Sequence, residues 1–365
     1  MPIVRDIINC IEDFAPLFYQ ESYDNSGLQI GNFHQEVTGI LLCVDVTEEV
    51  IDEAKTIGAN LIISHHPLIF GGLKKVTGSN YTERAIIKAV KSDIAIYACH
   101  TNIDNINTGV SFKMADKLGL INVKVLKPLA EVLHKLVTFV PLEHVENVRN
   151  AILEAGAGHI GNYDFCSFNV LGEGTFRASE KAHPFVGEKG ELHSESEIRI
   201  ETVFPKYLGN KIISALLKAH PYEEVAYDIY PLSNQFNNAG AGAFGHVTKP
   251  VTEKSFLDLV KSVFKIPLIR HTPLTGKEIS RVALCGGSGS FLLNDAKKAG
   301  AEVFLSADFK YHQFFDADNR IIIADIGHFE SEQYTLEIFY DLLIKNFSNF
   351  AVHFTKVKTN PINYY

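Results

Sequence analysis

Short apolar runs and helical apolar spacing alternate along the first hundred residues of the chain. Apolar residues fill positions 40–44 and 61–63, and between them residues 47–57 place apolar side chains on one helical face. A short apolar run predicts a buried strand, and apolar spacing of three and four predicts an amphipathic helix. The pattern therefore predicts a βαβ unit, which a helix near residues 83–90 and a strand at 94–98 extend.

The end of the chain repeats this unit at a constant spacing. Four pairs of identical residues are each separated by 242 positions (284 − 42, 296 − 54, 300 − 58 and 306 − 64). The pairs are Leu42 and Leu284, Ala54 and Ala296, Gly58 and Gly300, and Ser64 and Ser306. Because self-similarity at a fixed spacing indicates a duplicated structural unit, we expect two similar α/β lobes.

The middle of the chain has a different pattern and a repeat of its own, with a period of 64 (205 − 141 and 227 − 163). Its predicted elements run strand, helix, strand, strand, helix, strand, which is the ferredoxin-like plan, with a long hairpin excursion at 178–196. We therefore expect an α/β protein with two lobes, 1–129 and 248–365, and a ferredoxin-like (βαββαβ) α+β domain inserted at 130–247.

Composition narrows the class of protein. The formal net charge is −9 and the pI is about 5.9, which argues against a surface that binds nucleic acid. No apolar run reaches the ~20 residues of a membrane span, and the first residues lack a signal-peptide profile. Five widely spaced cysteines, with no CxxC pair, are typical of reduced thiols. We expect a cytoplasmic protein that does not associate with membranes.

Side chains that bind metals follow predicted strands in both lobes. Since the carboxyl ends of parallel strands meet at one edge of a sheet, such side chains can converge there. The candidate ligands are His65, His66, Asp104, His328 and Glu332. A lone histidine after a strand is more often structural, but the adjacent pair and the recurrence of His-x3-acid favour a metal site. Five ligands exceed one tetrahedral ion and indicate two divalent metal ions. Zn, Fe and Mn are favoured, but the ligands alone do not select among Zn, Fe, Mn and Mg.

Other segments near the predicted strand ends allow more than one interpretation. His100 and His312 are candidates for metal ligation, for hydrogen bonding to a ligand, or for catalytic acid/base chemistry. A glycine-rich turn after a predicted strand is either a phosphate-binding loop or a tight βα turn: Gly286-Gly287-Ser288-Gly289. In the middle block, residues 220–224 (HPYEE) favour a structural or interface role over metal binding.

Together these motifs resemble those of the GTP cyclohydrolase I type 2 homologues, also called the NIF-three-like family. The resemblance covers nearly the whole chain and is carried by five segments: Asp24-Asn25-Ser26-Gly27-Leu28, Ser64-His65-His66-Pro67, His100-Thr101-Asn102-Ile103-Asp104, Gly286-Gly287-Ser288-Gly289 and Gly327-His328-Phe329-Glu330-Ser331-Glu332. Small departures stand at Tyr23, Ala307 and Phe329, where the family often has Trp, Gly and Tyr. None of the three is a candidate ligand.

The resemblance implies a NIF-three-like fold, a toroidal homohexamer and a PII/CutA-like inserted domain. It also implies a dinuclear metal centre, with His66 and Asp104 on one metal, His65 and His328 on the other, and Glu332 bridging both. The implied activity is hydrolysis of a nucleotide, GTP, to dihydroneopterin triphosphate and formate. Metal-dependent hydrolysis of another nucleotide or of a phosphoester is the enzymatic alternative. The alternative from a different class is a metal-binding ring protein without catalytic activity, a regulator or scaffold whose inserted domain senses a small molecule or partner.

Overall fold

The computed structural model describes residues 1–365. Its α-helices are α1 (Val4–Phe14), α2 (Glu48–Ile57), α3 (Tyr81–Lys91), α4 (Thr101–Asp104), α5 (Val110–Lys117), α6 (Val145–Glu154), α7 (Gly209–Ala219), α8 (Glu253–Phe264), α9 (Leu293–Lys298), α10 (His328–Glu332) and α11 (Thr335–Asn346). Its strands are β1 (Gly27–Ile30), β2 (Ile40–Cys43), β3 (Leu61–Ser64), β4 (Ala95–Ala98), β5 (Ile121–Leu129), β6 (Leu133–Pro141), β7 (Phe168–Arg177), β8 (Leu192–Pro205), β9 (Tyr227–Leu232), β10 (Phe236–Thr252), β11 (Arg270–His271), β12 (Glu278–Ser288), β13 (Val303–Ala307), β14 (Ile322–Asp325) and β15 (Val352–Phe354).

The predicted fold class is confirmed: two α/β lobes accompany a βαββαβ domain. The first sheet has the order β1-β4-β3-β2-β15, and its three central strands are parallel. The second has the order β11-β14-β13-β12-β10-β5, in which β12, β13 and β14 are parallel. The third, antiparallel sheet has the order β7-β8-β6-β9, which is the ferredoxin-like arrangement.

The chain divides into two compact units, one formed by Met1–Lys127 with Asn238–Tyr365 and the other by Pro128–Asn237. Both lobes belong to the first unit, and the βαββαβ domain is the second. The three-part division at 129/130 and 247/248 stays a prediction. No helix in the structure combines the length and the apolar character that a membrane span requires.

Helix α2 shows how local sequence determines an element of the first lobe. The hydroxyl of Thr47 accepts a hydrogen bond from the N–H of Val50 and caps the amino terminus. Gly58 ends the helix in the left-handed conformation with φ +77°, which favours glycine. Between the caps, Val50, Ile51 and Ala54 are buried against the sheet core. Cap and apolar spacing together explain why the predicted helix forms.

Two predicted boundaries were wrong for identifiable reasons. Helical apolar spacing at residues 7–19 predicts one helix, but α1 ends at Phe14 and residues 17–19 form a separate 3-10 helix, because Pro16 cannot continue an α-helix. The excursion predicted at 178–196 is shorter, since β8 begins at Leu192 and pairs with β7 as far as Arg177. Polar residues facing solvent on one side of this ladder resembled a loop in the sequence.

Candidate metal centre

The paired histidines follow β3, the central strand of the first sheet. Backbone N–H groups of His65 and His66 donate to the carbonyls of Cys43 and Val44, which extends the parallel pairing beyond the strand. The Ser64 hydroxyl donates to the His66 carbonyl at 2.8 Å. His65 is fully buried. The main chain is therefore held rigidly where the two imidazoles leave it.

Three histidines use their Nδ1 atoms for hydrogen bonds away from the centre. His65 Nδ1 lies 3.0 Å from the Cys99 carbonyl, which only accepts, so Nδ1 carries the hydrogen and Nε2 has a free lone pair. His66 Nδ1 donates to Asp45 Oδ1, and His328 Nδ1 to Asp308 Oδ2, each at 2.7 Å. This arrangement orients metal-binding histidines in proteins, and it leaves three Nε2 atoms to face one another.

The second lobe supplies its two candidates from α10. His328 and Glu332 are the first and last residues of this short helix, so the spacing of four places both on one face. Gly287 gives the carboxylate room, because a Cβ atom there would lie 2.2 Å from Glu332 Oε1. The φ of +59° at Gly287 also favours glycine. The glycine-rich turn therefore packs directly against the proposed ligand.

The five candidates meet around Glu332. Its Oε2 lies 3.0 Å from His66 Nε2 and 3.1 Å from His328 Nε2, and its Oε1 lies 3.5 Å from His65 Nε2. His65 Nε2 is also 3.8 Å from Asp104 Oδ1. One group of atoms within 4.8 Å of one another is His66, His328 and Glu332, and a second is His65, Asp104 and Glu332. These groups could hold metal ions.

Polar atoms without hydrogen bonds provide a test of that fit. With His66 and His328 carrying hydrogen only on Nδ1, the buried atoms His65 Nε2, Asp104 Oδ1 and Glu332 Oε2 have no hydrogen-bond partner. Leaving three such atoms unsatisfied in one place is costly, and a divalent cation satisfies nitrogen and carboxylate lone pairs together. The residues present therefore fit a metal. In this structure His66 groups with His328, and the division of the ligands between two metals that the resemblance implies stays a prediction.

Burial and neighbouring charge act in opposite directions on the buried groups. Burial raises the pKa of Asp104 well above its usual range, and the nearby Glu332 carboxylate adds to this effect. Burial also acts to raise the pKa of Glu332, but the imidazoles around it outweigh burial and hold that pKa well below its usual range. Burial lowers the pKa of His65, which favours the neutral imidazole that a metal requires.

His66 and His328 are more basic than ordinary histidines. Burial opposes the charged form of both rings. The Asp45 and Glu332 carboxylates nevertheless raise the pKa of His66 to about 10, and Asp308 and Glu332 raise that of His328 to about 11. The two Nε2 atoms are 3.3 Å apart, so two imidazolium rings would repel each other there. A cation between them would replace the protons and remove the repulsion.

His100 resembles His66 and His328 in that an aspartate carboxylate accepts the hydrogen bond from its Nδ1 atom. Its Nδ1 lies 2.7 Å from Asp24 Oδ1, and its ring packs against those of His65 and His66 at 5.3 Å between centroids. Burial acts to raise the pKa of Asp24, but hydrogen bonds from His100, Thr101 and Ser26 outweigh it and lower the pKa. His100 forms a third possible group with His65 and His66.

The remaining candidates from the sequence are the glycine-rich turn at 286–289 and His312, and neither belongs to the groups of possible metal ligands. Gly286 and Gly287 already donate their N–H groups to the hydroxyls of Ser111 and Ser331, at 3.3 and 2.9 Å. Phosphate binding by residues 286–289 stays a prediction. His312 lies on a 3-10 helix, Tyr311–Ala317, where its ring stacks on Phe315. It is in none of the groups that could hold a metal.

Comparison with known proteins identifies the family. The model of the Duf34/NIF3 (NGG1p interacting factor 3) family matches residues 2–361. The chain belongs to the Duf34/NIF3 family. A relative from Halalkalibacterium halodurans, named GTP cyclohydrolase 1 type 2 homolog, is 41% identical over 326 residues, covering 89% of this chain and 88% of that one. A relative of the same name from Bacillus subtilis is 40% identical over 327 residues, with the same coverage.

A solved structure supports the assignment. The crystal structure of a Bacillus cereus protein related to NIF3 is 39% identical, with a TM-score of 0.88, and the match covers 100% of this chain and 99% of that one. A Staphylococcus aureus protein, SA1388, matches with a TM-score of 0.79 at 29% identity, again over 100% and 99%. The NIF3-like fold predicted from the motifs is therefore confirmed.

A cavity of about 410 Å³ opens onto the proposed centre of this NIF3-family chain. His66, Asp104, His328 and Glu332 line it, as does His100. The cavity also has aromatic walls, and no lysine or arginine lines it. The aromatic side chains are Tyr23, Phe70 and Phe291, which are 63%, 53% and 57% exposed. The cavity therefore offers stacking surfaces and candidate metal ligands, but no cationic side chain.

Three carboxylates with a clear structural role were missed in the sequence. Asp45, Asp308 and Asp24 orient His66, His328 and His100, respectively. Asp45 and Asp308 each follow the carboxyl end of a buried parallel strand, β2 or β13. The positions of these acidic residues just after predicted strands, close to those of the histidines, could have predicted that they orient the imidazole rings.

Proposed function

We propose that this chain holds two divalent metal ions and hydrolyses a nucleotide in the adjoining cavity. The proposed ligands are His65, His66, Asp104, His328 and Glu332. The observation that carries the proposal is the set of three buried atoms with no hydrogen-bond partner, one each on His65, Asp104 and Glu332. Glu332 belongs to both groups of atoms, which supports a bridging role for its carboxylate.

When bound, divalent ions supply Lewis-acid chemistry and activate water for hydrolysis. The protein's own residues perform the remaining roles. Asp45 and Asp308 hold the Nδ1 protons of His66 and His328, which keeps their Nε2 atoms available. His100, oriented by Asp24 and lining the cavity, is placed to exchange a proton with a substrate through its Nε2 atom.

The cavity walls favour a flat aromatic group as part of the substrate. Tyr23, Phe70 and Phe291 project exposed rings beside the candidate ligands, and rings of this kind stack on nucleobases. The relatives' name, GTP cyclohydrolase 1 type 2 homolog, makes GTP the first substrate to test. The narrower proposal is opening of the guanine imidazole ring, with release of formate and formation of dihydroneopterin triphosphate.

The decisive experiment measures metal and turnover on the same preparations. Protein purified without chelator is analysed for metal content and assayed with GTP and a panel of other nucleotides and phosphoesters. We expect about two metal ions per chain. His65→Ala should lose both metal and turnover, whereas His34→Ala, which changes an exposed histidine, should lose neither. Metal-free wild-type protein, or equal metal content in His65→Ala, would contradict the metal proposal.

One observation favours a second candidate function, a metal-binding regulator or scaffold without catalytic activity. The cavity has no lysine or arginine to hold the phosphates of a nucleotide, so the metals alone would have to balance their charge. Metal-loaded protein that turns over nothing in the panel would support this alternative. It would gain further support if His66→Ala changed assembly or ligand binding.

Three finer assignments belong to the same proposal. We propose a homohexamer, which size-exclusion chromatography with light scattering would test. We also propose a cytoplasmic location. We also propose that residues 130–247 form a PII/CutA-like domain, between lobes at 1–129 and 248–365. Its support is the order βαββαβ and the strand order β7-β8-β6-β9.

A further inference from the structure

The inserted domain contains a larger cavity than the proposed metal centre does. Its volume is about 710 Å³, which lies within the range of small-molecule sites. Strands β7 and β8 contribute to its lining, as do the segments 178–185 and 222–226. All of the lining residues belong to the compact unit Pro128–Asn237, so the cavity is complete within one domain.

A buried carboxylate without a cationic partner lines this cavity. Glu197 is 8% exposed and forms no ion pair with lysine, arginine or histidine. One hydrogen bond reaches it, from the hydroxyl of Tyr222 to Oε1 at 2.9 Å. The absence of a side chain at Gly174 accommodates the carboxylate, since a Cβ atom there would lie 2.3 Å from Oε2. Burying a charged group without an opposite charge is unfavourable, so a cation at this position would stabilise the site.

The segment His220-Pro221-Tyr222-Glu223-Glu224 explains how that carboxylate is oriented. His220 Nε2 donates to the Phe139 carbonyl at 2.9 Å, and its Nδ1 accepts from the N–H of Tyr222 at 3.1 Å. Both ring nitrogens are therefore occupied, and the ring is neutral. Burial lowers the pKa of His220 and reinforces that state. His220 is thus a positioning residue for Tyr222 and does not serve as a metal ligand.

Aromatic rings surround the same space. The rings of Phe176 and Phe185 lie 6.3 and 6.2 Å from that of Tyr222, between centroids, and Phe139 also lines the cavity. Aromatic faces carry partial negative charge and attract organic cations. Rings together with a buried carboxylate are the combination that recognises an ammonium group.

Like the Glu197 carboxylate, the charged side chains that line the cavity are mostly negative. Four glutamates line the cavity, against two arginines. One of these, Arg199, forms an ion pair with Glu201 at 2.9 Å. The other, Arg177, is exposed. Both arginines and three of the glutamates are exposed, so the one buried charged group in the lining is the Glu197 carboxylate, which disfavours nucleotides and carboxylates as ligands.

We propose that this cavity binds a small organic ammonium compound with an apolar body. The ammonium group would lie against Glu197 and the aromatic rings, and the apolar body would fill the remaining volume between Phe139 and Phe185. The site is separate from the proposed metal centre, because no residue lines both cavities. The proposal therefore does not depend on the proposed hydrolytic function.

Three probes that share a phenylpropyl group but differ in charge test whether binding to the full-length protein requires a cation. They are 3-phenylpropylamine, 3-phenyl-1-propanol and 3-phenylpropionate, which present a cation, a neutral hydroxyl and an anion. We expect isothermal titration calorimetry to show the amine binding at least about tenfold more tightly than the alcohol, and the propionate not binding. Equal binding of amine and alcohol, preferred binding of the propionate, or no binding of the amine would overturn the proposal.

Variants locate the binding. Glu197→Gln should weaken amine binding about tenfold, while Glu154→Gln, which removes an exposed charge on α6, should not change it. His65→Ala should also leave amine binding unchanged, which excludes the metal centre as its location. Thermal melting checks that Glu197→Gln folds; if it does not, Phe185→Leu, at a 53% exposed ring, serves instead and should weaken binding. Unchanged amine binding in the folded variant would refute the site.

Discussion

Replacing Asp45 by Asn tests whether the outer carboxylates matter for metal binding. Asp45 Oδ1 accepts the Nδ1 proton of His66 at 2.7 Å, and its Oδ2 accepts from the Thr359 hydroxyl at 3.2 Å. Asn retains the size and one acceptor oxygen but removes the negative charge. The imidazole then loses the partner that orients it and increases the basicity of its Nε2 atom.

The expected loss is moderate because His66 itself remains. Changing an outer hydrogen-bond partner of a metal-binding histidine lowers affinity by about 10- to 100-fold. That range corresponds to about 1.4 to 2.7 kcal/mol of binding free energy. The Asp45–His66 contact is short, at 2.7 Å, which places the effect toward the upper half of the range.

The assay is competition for a divalent metal against a chromophoric chelator, starting from metal-free protein. Asp52→Asn is the matched control, because Asp52 is an exposed carboxylate on α2 that pairs with Lys88 and lies outside the cavity. His66→Ala gives the limit for complete loss of the ligand. If Asp45→Asn retains wild-type affinity while His66→Ala does not, orientation by the carboxylate is refuted. If neither changes affinity, His66 is not a ligand.

Three further predictions follow from the same geometry. Metal affinity, measured by competition titration, should rise with pH up to about pH 10, because metal must displace the protons that His66 and His328 keep below their raised pKa values of about 10 and 11; affinity independent of pH would contradict this. Gly287→Ala should destabilise the protein by at least about 1 kcal/mol in chemical denaturation and lower its metal content, because Cβ would meet Glu332 and φ is +59°; full metal content would contradict it. Phe304→Ala, at a fully buried ring of the second lobe, should lower the free energy of unfolding by about 3 to 5 kcal/mol in the same assay without changing ligand geometry; a loss below about 1 kcal/mol would show that the core does not depend on this ring.

The parts of the fold that local sequence determines were predicted well. The strands β2, β3 and β4 are four-residue runs that are buried throughout, so their apolar composition alone identifies them. The spacing of four between His328 and Glu332 suits one helix face, and the two residues are the ends of α10. Because parallel strands place their carboxyl ends together, the convergence of His65, His66 and Asp104 after β3 and β4 of the first sheet also followed from strand position.

Long-range pairing could not be read from the sequence in the same way. Strand β15 joins the first sheet beside β2 although about 300 residues separate them. The sequence of Val352–Phe354 does not indicate which strand it pairs with. The Asp24–His100 hydrogen bond likewise joins residues 76 positions apart. Strand β10 was not predicted, because residues 239–243 alternate Ala and Gly, which are poor markers of a strand.

The repeat explains why one lobe supplies more ligands than the other. Asp45 and Gly287 are equivalent positions, as are His66 and Asp308, since both pairs are separated by 242 (287 − 45 and 308 − 66). In the first lobe the pair is a ligand with its orienting carboxylate, Asp45–His66.

In the second lobe the same two positions serve residues of α10: Gly287 leaves room for Glu332, and Asp308 orients His328. Both lobes keep the parallel pair of strands, β2 with β3 and β12 with β13. The serines that precede His65 and its counterpart Ala307 donate to different carbonyls, Ser64 to that of His66 at 2.8 Å and Ser306 to that of Gly287 at 2.9 Å. The duplicated scaffold is therefore preserved while its ligand positions have diverged. Neither lobe alone contains the full set of proposed ligands, and a complete centre requires both.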